Sequence, residues 1–401
     1  MSVQVGVLPE GALLPAHVPM ALVHDFDISL DTTAIGDPHL AALALHSAAP
    51  EVFWSPRYGG CWMVRSLEAA REVSQSPELF ISGGSEVVQI PVGLDPPRHA
   101  PFRNVIGAAF APRLMQELVP SITALCNRLI DDELSRGDGR CEIVGSITSR
   151  LPVWVFMELA GLPLDQFDHL RGLTLDFLRE ADEAKRQPII EQILESTAAV
   201  VRARQAKREK DLISRLLDST IDGRPITFDE MQSICLFFVL AGLDTVTSAL
   251  GFGFQYLAKD PALQQRLREH PELIDIAAEE LLRIGAPSSV IRHAARDLEF
   301  RGVSMRQGDR IHILYPAANL DPSVFADPLQ VNLQQTEPTV AFGTGPHRCL
   351  GSHLARIEMR ILYREWLRRV PTFSLDAERP AKYHTGLVWG ISELHLKWSG
   401  A

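Results

Sequence analysis

The chain has 401 residues, of which 46% are hydrophobic and 22% are charged, a balance typical of globular rather than disordered proteins. Its formal net charge of −11 argues against nucleic acid or an anionic membrane as a general partner. Five cysteines are scattered without disulfide or zinc spacing, which fits a reducing compartment. The N-terminus resembles no signal peptide, and the apolar stretch 234–243 is too short to span a bilayer. We therefore expect a cytoplasmic protein.

The spacing of apolar residues predicts a mainly α fold with small peripheral β-sheets. Apolar runs on either side of 58–60 predict a β-hairpin. Helical periodicity then dominates, over 98–114, 118–135, 147–161, 170–180, 189–207 and, after a turn at 221–225, over the long apolar segment 228–257. Pro261 and Pro271 open two more helices, and strand-like alternation returns at 310–314 and 387–398. Because no linker interrupts this pattern, we predict one domain over 1–401.

Four basic residues stand out only through the family resemblance given below, which makes them candidates to bind an anionic group. His99 and Arg103 are four residues apart and therefore share one face of the first long helix. Arg292, on a strand-like segment, and His347, in a glycine-rich loop, are the other two. A partly buried anion needs such donors. The alternative for each residue is a cation in contact with solvent.

The long apolar helix contains a charge and a hydroxyl in the sequence Leu-Ala-Gly-Leu-Asp-Thr, residues 240–245. Gly242 weakens a helix by about 1 kcal/mol relative to alanine, and the hydroxyl of Thr245 can bond a backbone carbonyl. These residues predict a local bulge or kink where a small ligand can enter. The alternative is an ordinary buried helix in which Asp244 has a partner.

Glu280 and Arg283 form a third candidate pair. Their spacing of three residues places them on one helix face, but such pairs are common, and most are surface salt bridges.

The most informative segment is 342–351, Phe-Gly-Thr-Gly-Pro-His-Arg-Cys-Leu-Gly, just before an amphipathic run at 353–370. A helix N-terminus favours a thiolate at Cys349, and glycines such as Gly343 let the backbone approach a flat partner closely. A rigidly held thiolate suits iron, and haem iron with cysteine behind it is tuned to cleave O–O bonds. The alternative for a lone cysteine is a small buried hydrophobic residue.

This loop resembles the haem-ligand signature of the cytochrome P450 superfamily, whose fixed positions are met by Phe342, Gly345, His347, Cys349 and Gly351. The resemblance covers nearly the whole chain and is strongest to the soluble bacterial camphor hydroxylases. It implies the P450 fold and a b-type haem with the Cys349 thiolate as axial ligand, contacted by Phe342 and Gly343. It also implies a monooxygenase that inserts one oxygen atom of O2 into a C–H bond.

The same resemblance implies roles for the remaining candidates. His99, Arg103, Arg292 and His347 would bind the haem propionates, and Glu280 with Arg283 would form the structural pair beneath the haem. Thr245 would hydrogen-bond bound dioxygen. Asp244 would gate proton delivery, in a closed-state ion pair with Arg179 or Arg171. The physical need is for two protons in an apolar site that excludes water.

The substrate segment departs from the camphor hydroxylases. Their substrate-binding tyrosine is replaced by Val87, in a stretch that is several residues shorter, so camphor is not the expected substrate. The resemblance implies an aliphatic pocket formed by Val87, Leu243, Val290, Leu387 and Val388, with Leu178 as a further candidate and Ser85 or Gln89 as a polar contact. We expect a compact terpenoid or norisoprenoid, such as an ionone-like ketone.

The chain contains no flavin or nicotinamide motif, so electrons must come from another protein. The resemblance implies a [2Fe-2S] ferredoxin with a flavin reductase, recruited to a monomeric enzyme by Arg71, Arg103 and Arg348. Two alternatives stay open: a peroxide-driven peroxygenase and a haem-binding sensor without turnover. The retained Asp244–Thr245 pair disfavours both.

Overall fold

The computed structural model describes residues 4–5, 8, 14–83, 88–180 and 183–399. α-Helices dominate this part of the chain: α1 (Thr32–Ile35), α2 (Pro38–Ala48), α3 (Leu67–Gln75), α4 (His99–Ala109), α5 (Pro112–Gln116), α6 (Val119–Leu134), α7 (Arg150–Ala160), α8 (Phe167–Arg179), α9 (Glu183–Ala206), α10 (Leu212–Leu217), α11 (Phe228–Gly242), α12 (Thr245–Lys259), α13 (Pro261–Glu269), α14 (Ile274–Ile284), α15 (Tyr315–Ala318) and α16 (Ser352–Arg369).

The strands are short and lie in small sheets: β1 (Gln4–Val5), β2 (His24–Asp25), β3 (Val52–Ser55), β4 (Cys61–Val64), β5 (Phe80–Ile81), β6 (Arg140–Glu142), β7 (Thr220–Ile221), β8 (Arg224–Pro225), β9 (Val290–Ala294), β10 (Leu298–Phe300), β11 (Val303–Met305), β12 (Arg310–Ile313), β13 (Phe373–Leu375), β14 (Lys382–His384), β15 (Gly390–Glu393) and β16 (His395–Trp398). The largest sheet of the described chain has the order β3-β4-β12-β9-β5, and β13-β16-β6 form a second. The mainly α fold with peripheral β-sheets is therefore confirmed.

Local sequence signals account for many of these boundaries. The predicted hairpin is β3–β4, paired from Val52 with Val64 to Ser55 with Cys61. Helix α11 begins with a capping box, in which the Thr227 side chain accepts from the Glu230 N–H and the Glu230 side chain accepts from the Thr227 N–H. Pro261 opens α13 as predicted, with the Asp260 side chain as N-cap.

The apolar segment 228–259 is interrupted at its centre. Helix α11 ends at Gly242 and α12 begins at Thr245, because Asp244 has the non-helical angles φ −140° and ψ −27°. In the described part of the chain, this is the one stretch long and apolar enough to cross a membrane, and 72% of its most apolar window is buried inside the protein. It is therefore placed as a core element, and the kink predicted from Gly242 and Thr245 is confirmed.

The core has two parts. The larger apolar cluster lies among the helices, with α11, α12, α14 and α16 contributing many of its residues, and the smaller one surrounds the five-stranded sheet. Helix α12 packs against both α14 and α16. The break between α11 and α12 lies within the larger apolar cluster, to which Leu240 and Leu243 beside the break belong.

Candidate functional site

An internal cavity separates the helix break from the glycine-rich loop. Counting its open mouth, it holds about 1410 Å³ of space free of protein atoms. One wall is formed by Ala241, Gly242 and Thr245 at the break, and the opposite wall includes Phe342 and Cys349. Two elements distant in sequence thus face each other across a cavity that can hold a large planar group.

The loop before α16 is fixed by its own backbone. The Cys349 N–H donates to the Phe342 carbonyl at 2.8 Å, and the Gly343 N–H donates to the Val340 carbonyl at 2.8 Å. Gly345 has φ +70°, and a Cβ there would collide with the backbone of Ser74. The cysteine is therefore held in a rigid turn, as the sequence predicts.

Cys349 opens into the cavity. Burial by the surrounding protein raises the pKa of its thiol, although the Gly351 N–H and the charges of Arg103, Arg348 and Arg356 act in the opposite direction. Desolvation therefore outweighs the effect of the helix N-terminus, which by itself would favour a thiolate. Coordination to a cation would supply the missing stabilisation, since a metal-bound thiol is deprotonated.

The polar pair at the helix break points in two directions. Thr245 lines the cavity, and its hydroxyl donates to the Ala241 carbonyl at 3.0 Å. The Asp244 side chain is 1% exposed and lies behind it, where one carboxylate oxygen accepts from the Ser248 hydroxyl at 3.2 Å. The same oxygen is 3.5 Å from Nε2 of His384, a residue that the sequence patterns did not single out.

The predicted ion pair of Asp244 with Arg179 or Arg171 is not formed among the described residues. Burial lowers the pKa of Arg179, and the Asp244 carboxylate opposes that shift, so the two charges interact at longer range. Nε of Arg171 is buried without a hydrogen-bond partner in the described part of the chain. Asp244 is instead contacted by a hydroxyl and an imidazole.

The four predicted anion-binding residues converge beside the cavity. Arg103, Arg292 and His347 line it, and the ring of His99 lies 4.3 Å from that of His347. Burial lowers the pKa of His99, and burial together with the neighbouring arginines lowers the pKa of His347 to about 3. Burial thus favours the neutral form of both imidazoles, and Arg103 and Arg292 are the permanent cations of the cluster.

Within this cluster, positive charge and hydrogen-bond donors are available to bind a further group. Arg292 is 5% exposed, and its guanidinium donates to the backbone carbonyl of Ile291 at 2.7 Å. Nε2 of His99 is buried without a hydrogen-bond partner in the described ranges. A buried guanidinium is costly unless an anion compensates it. The two carboxylates of a haem would do so, while Cys349 on the loop wall offers an axial ligand, so the residues present fit a haem.

The predicted substrate-contacting residues are only partly brought together. Val290 lines the cavity. Leu387 and Leu178 line a separate small pocket instead. Leu243 and Val388 are buried in the core, and neither lines the cavity. Val87 and Ser85 lie outside the described residues.

Aromatic rings, which the predicted pocket did not include, form much of the apolar lining. They are Phe110, Phe156, Phe237 and Phe238. Phe237 could have been predicted from the sequence, because it lies about one helical turn before Ala241 on the same face of α11. Phe110, just after α4, and Phe156, on α7, meet α11 only in the folded protein.

Glu358 is a further cavity residue that the sequence interpretation missed. It lies on α16, 1% exposed, and its Oε1 has no hydrogen-bond partner among the described residues. Burial raises the pKa of this carboxyl well above its usual value. The folded protein therefore retains a proton on Glu358 at pH values where the unfolded chain has lost it.

We expect Glu358→Gln to stabilise the haem-loaded protein in a pH-dependent way. Above about pH 4.5 the unfolded carboxyl ionises while the folded one resists, so Glu358 destabilises the wild type increasingly as pH rises, and the glutamine variant lacks this contribution. The advantage of the variant should grow from pH 4.5 to pH 8, measured by urea unfolding. The exposed Glu337→Gln provides the control, and a pH-independent difference for Glu358→Gln would contradict the prediction.

Comparison with known proteins agrees with this geometry. The family profile for Cytochrome P450 matches residues 154–398. The chain is 35% identical over 407 residues to the probable cytochrome P450 127A1 of Sinorhizobium fredii, with 96% of this chain and 97% of that protein covered. The crystal structures of CYP101J2 and cytochrome P450 CYP101C1 each superpose with a TM-score of 0.87, at 32% and 31% identity, covering 96% of this chain and 100% of theirs.

Proposed function

This chain belongs to the cytochrome P450 family of haem-thiolate monooxygenases, and from that premise we propose that it is a cytoplasmic, single-domain enzyme that hydroxylates a small apolar terpenoid or norisoprenoid. The observation that carries the proposal is the apolar cavity between Cys349 and the Asp244–Thr245 break. One wall offers the sulfur ligand, and the other offers an acid and an alcohol in an otherwise apolar helix.

When bound, the haem supplies the iron at which O2 is reduced and one oxygen atom is transferred to a C–H bond. The overall reaction consumes O2, two electrons and two protons and yields the alcohol and water. The chain's own residues manage the protons. Because the Thr245 hydroxyl donates to Ala241, its oxygen retains acceptor capacity toward the cavity. Asp244, buried behind it, is the carboxyl from which protons reach that hydroxyl.

The cavity lining supports an apolar substrate of modest size. Phe237, Val246 and Val290 offer hydrocarbon surface, and burial of such surface contributes about 25 cal/mol per Å². Phenylalanine rings leave less room than the aliphatic lining predicted from the sequence. A compact ring ketone of the ionone type matches this lining better than a polar metabolite does.

A spectral titration followed by turnover tests the proposal. A panel of terpenoids and ionones should include compounds that shift the haem from low to high spin, and the bound compound should be hydroxylated with NADH, a ferredoxin and its reductase. Product formed with peroxide alone at a comparable rate would favour a peroxygenase, and binding without product by either route would favour a sensor. No spin shift with any member of the panel would remove the substrate proposal.

We expect Arg292→Ala to weaken haem retention, because it removes a buried guanidinium from the proposed propionate site. A hydrogen bond to a charged group contributes about 1.5–3 kcal/mol, so haem transfer to an acceptor apoprotein should accelerate by roughly 10- to 100-fold. Arg103→Ala should act in the same direction. Arg306→Ala, which removes an exposed surface cation, is the control. Unchanged haem retention in both cavity variants would discredit the assignment.

We also propose that a [2Fe-2S] ferredoxin docks on the cysteine side of the molecule. Arg348, next to Cys349, is exposed, and Arg71 on α3 donates to the Pro338 carbonyl near the same loop. Arg103 is a weaker candidate because it lines the cavity. If cations steer an acidic ferredoxin, turnover at limiting ferredoxin should fall several-fold between 0.01 and 0.15 M salt, as the screening length shortens from about 30 to about 8 Å. Insensitivity to salt would contradict electrostatic docking.

A further inference from the structure

Asp244 and His384 meet in the core although 140 positions separate them in sequence. The second carboxylate oxygen of Asp244, Oδ1, has no hydrogen-bond partner among the described residues. The His384 side chain is 11% exposed, and neither of its ring nitrogens has a hydrogen-bond partner in the same ranges. Nε2 lies 3.5 Å from Oδ2 of Asp244. An incompletely satisfied carboxylate thus faces an imidazole with donor and acceptor capacity to spare.

The surrounding backbone leaves room for this imidazole. His384 on β14 pairs with Gly390 on β15. A Cβ at position 390 would collide with the His384 ring and with the Ser248 hydroxyl that bonds Asp244. Glycine at this position therefore lets the ring and the hydroxyl converge on one carboxylate.

A small pocket with about 360 Å³ of free space, counting its mouth, is lined by Gly386 and Leu387, two and three residues after His384. Arg179, which interacts electrostatically with Asp244, lines the same pocket. This pocket is therefore lined by chain neighbours of His384 and by a cation that interacts with Asp244, although neither His384 nor Asp244 lines it.

We propose that His384 is a positioning residue that supplies protons to Asp244, an inference that rests on the proposed proton-delivery role of that aspartate. The His384 ring, whose side chain is 11% exposed, takes a proton from water at Nδ1 when a local movement uncovers that nitrogen. Its Nε2–H then passes to Oδ2 of Asp244 after the gap closes by about 0.5 Å to hydrogen-bond length. The neutral imidazole is left with its proton on Nδ1; exchange of that proton with water restores the Nε2–H form, and the ring then takes up the next proton. Two such transfers supply the two protons that the reaction consumes, and no electron moves in either.

The test compares His384→Gln, Asp244→Asn and the control His395→Gln in haem-loaded protein. His395 lies on β16, where Nε2 is 3.8 Å from Oε2 of Glu393. The readouts are NADH oxidation with a ferredoxin and its reductase, using β-ionone as the probe, and the solvent deuterium effect on kcat. We expect His384→Gln to lower kcat by about 10-fold or more, to leave KM within about twofold and to enlarge the solvent isotope effect. His395→Gln should match the wild type.

The outcomes separate the inference from its premise. If Asp244→Asn turns over at the wild-type rate, or if the wild type does not oxidise NADH in this system, the proposed function fails. If Asp244→Asn slows turnover and His384→Gln does not, only the role of His384 fails. A parallel rise in KM with an unchanged isotope effect would show a merely structural histidine. If His384→Gln does not fold, His384→Asn, which keeps a shorter amide, is measured in its place against the same expectations.

Discussion

Replacing Cys349 with serine should abolish monooxygenase turnover and remove the far-red displacement of the Soret band in the reduced, carbon monoxide-bound protein. An anionic sulfur ligand causes that displacement, and a neutral hydroxyl is a poor substitute for it. Removing even a second-shell partner of a metal ligand costs about 10- to 100-fold in affinity or activity, so loss of the ligand itself should exceed about 100-fold. The measurements are the carbon monoxide difference spectrum and product formation.

Another cysteine gives the matched control. Cys235 on α11 is buried, and desolvation raises the pKa of its thiol to about 12, so it is a core residue rather than a ligand. Cys235→Ser should leave the position of the carbon monoxide band unchanged, although it places a hydroxyl in the apolar core. If Cys349→Ser kept the far-red band, the axial assignment would be wrong. If Cys235→Ser lost the far-red carbon monoxide band while its haem content stayed normal, the assignment of Cys349 as the axial ligand would also be wrong.

Short-range sequence spacing predicted the parts of the site that lie on one element. His99 and Arg103 are one helical turn apart, and α4 places them together beside the cavity. Gly242 and Thr245 predicted the break between α11 and α12, because a glycine and a competing hydroxyl both weaken the helix locally. The loop at 342–351 was recognisable because its glycines and its cysteine are constrained by the same turn.

The spacing of residues along the sequence did not predict contacts between distant helices and strands. Leu387 and Val388 were expected in the substrate pocket, but the turn after β14 directs Leu387 to a different pocket, and Val388 forms a bridge with Ser288. The approach of His384 to Asp244 depends on how β14 packs against α12. Such positions are set by the packing of whole elements, which a local pattern does not determine.

The ion pair of Glu280 with Arg283 was predicted from local spacing, but its burial and its further partners were not. Their spacing predicted an ion pair, but most such pairs are exposed and weak, whereas here both side chains are 1% exposed. Arg283 binds both carboxylate oxygens of Glu280, at 2.8 and 2.9 Å, and the carbonyl of Asn319 at 3.0 Å. The Asn319 side chain in turn accepts from the Val340 N–H at 2.9 Å.

This network connects α14 to the cysteine loop. The Val340 carbonyl accepts from the Gly343 N–H at the start of that loop. Arg283 also donates to the carbonyls of Pro328 and Gln330 on the connecting segment. The buried pair therefore fixes the segment whose far end presents Cys349, although neither charged residue lines the cavity.

We expect Arg283→Met to destabilise the haem-loaded protein by about 3–5 kcal/mol, because it leaves the Glu280 carboxylate buried without its cation and frees three backbone carbonyls. Urea unfolding, followed in parallel by far-UV circular dichroism and Soret absorbance, measures the loss. Glu280→Gln combined with Arg283→Met should recover part of it, since no unpaired charge remains. Arg368→Met breaks the pair of Arg368 with Glu365, which has the same spacing but whose arginine is 62% exposed, and should cost at most about 1 kcal/mol. Equal losses in the buried and exposed variants would show that burial does not set the strength of this pair.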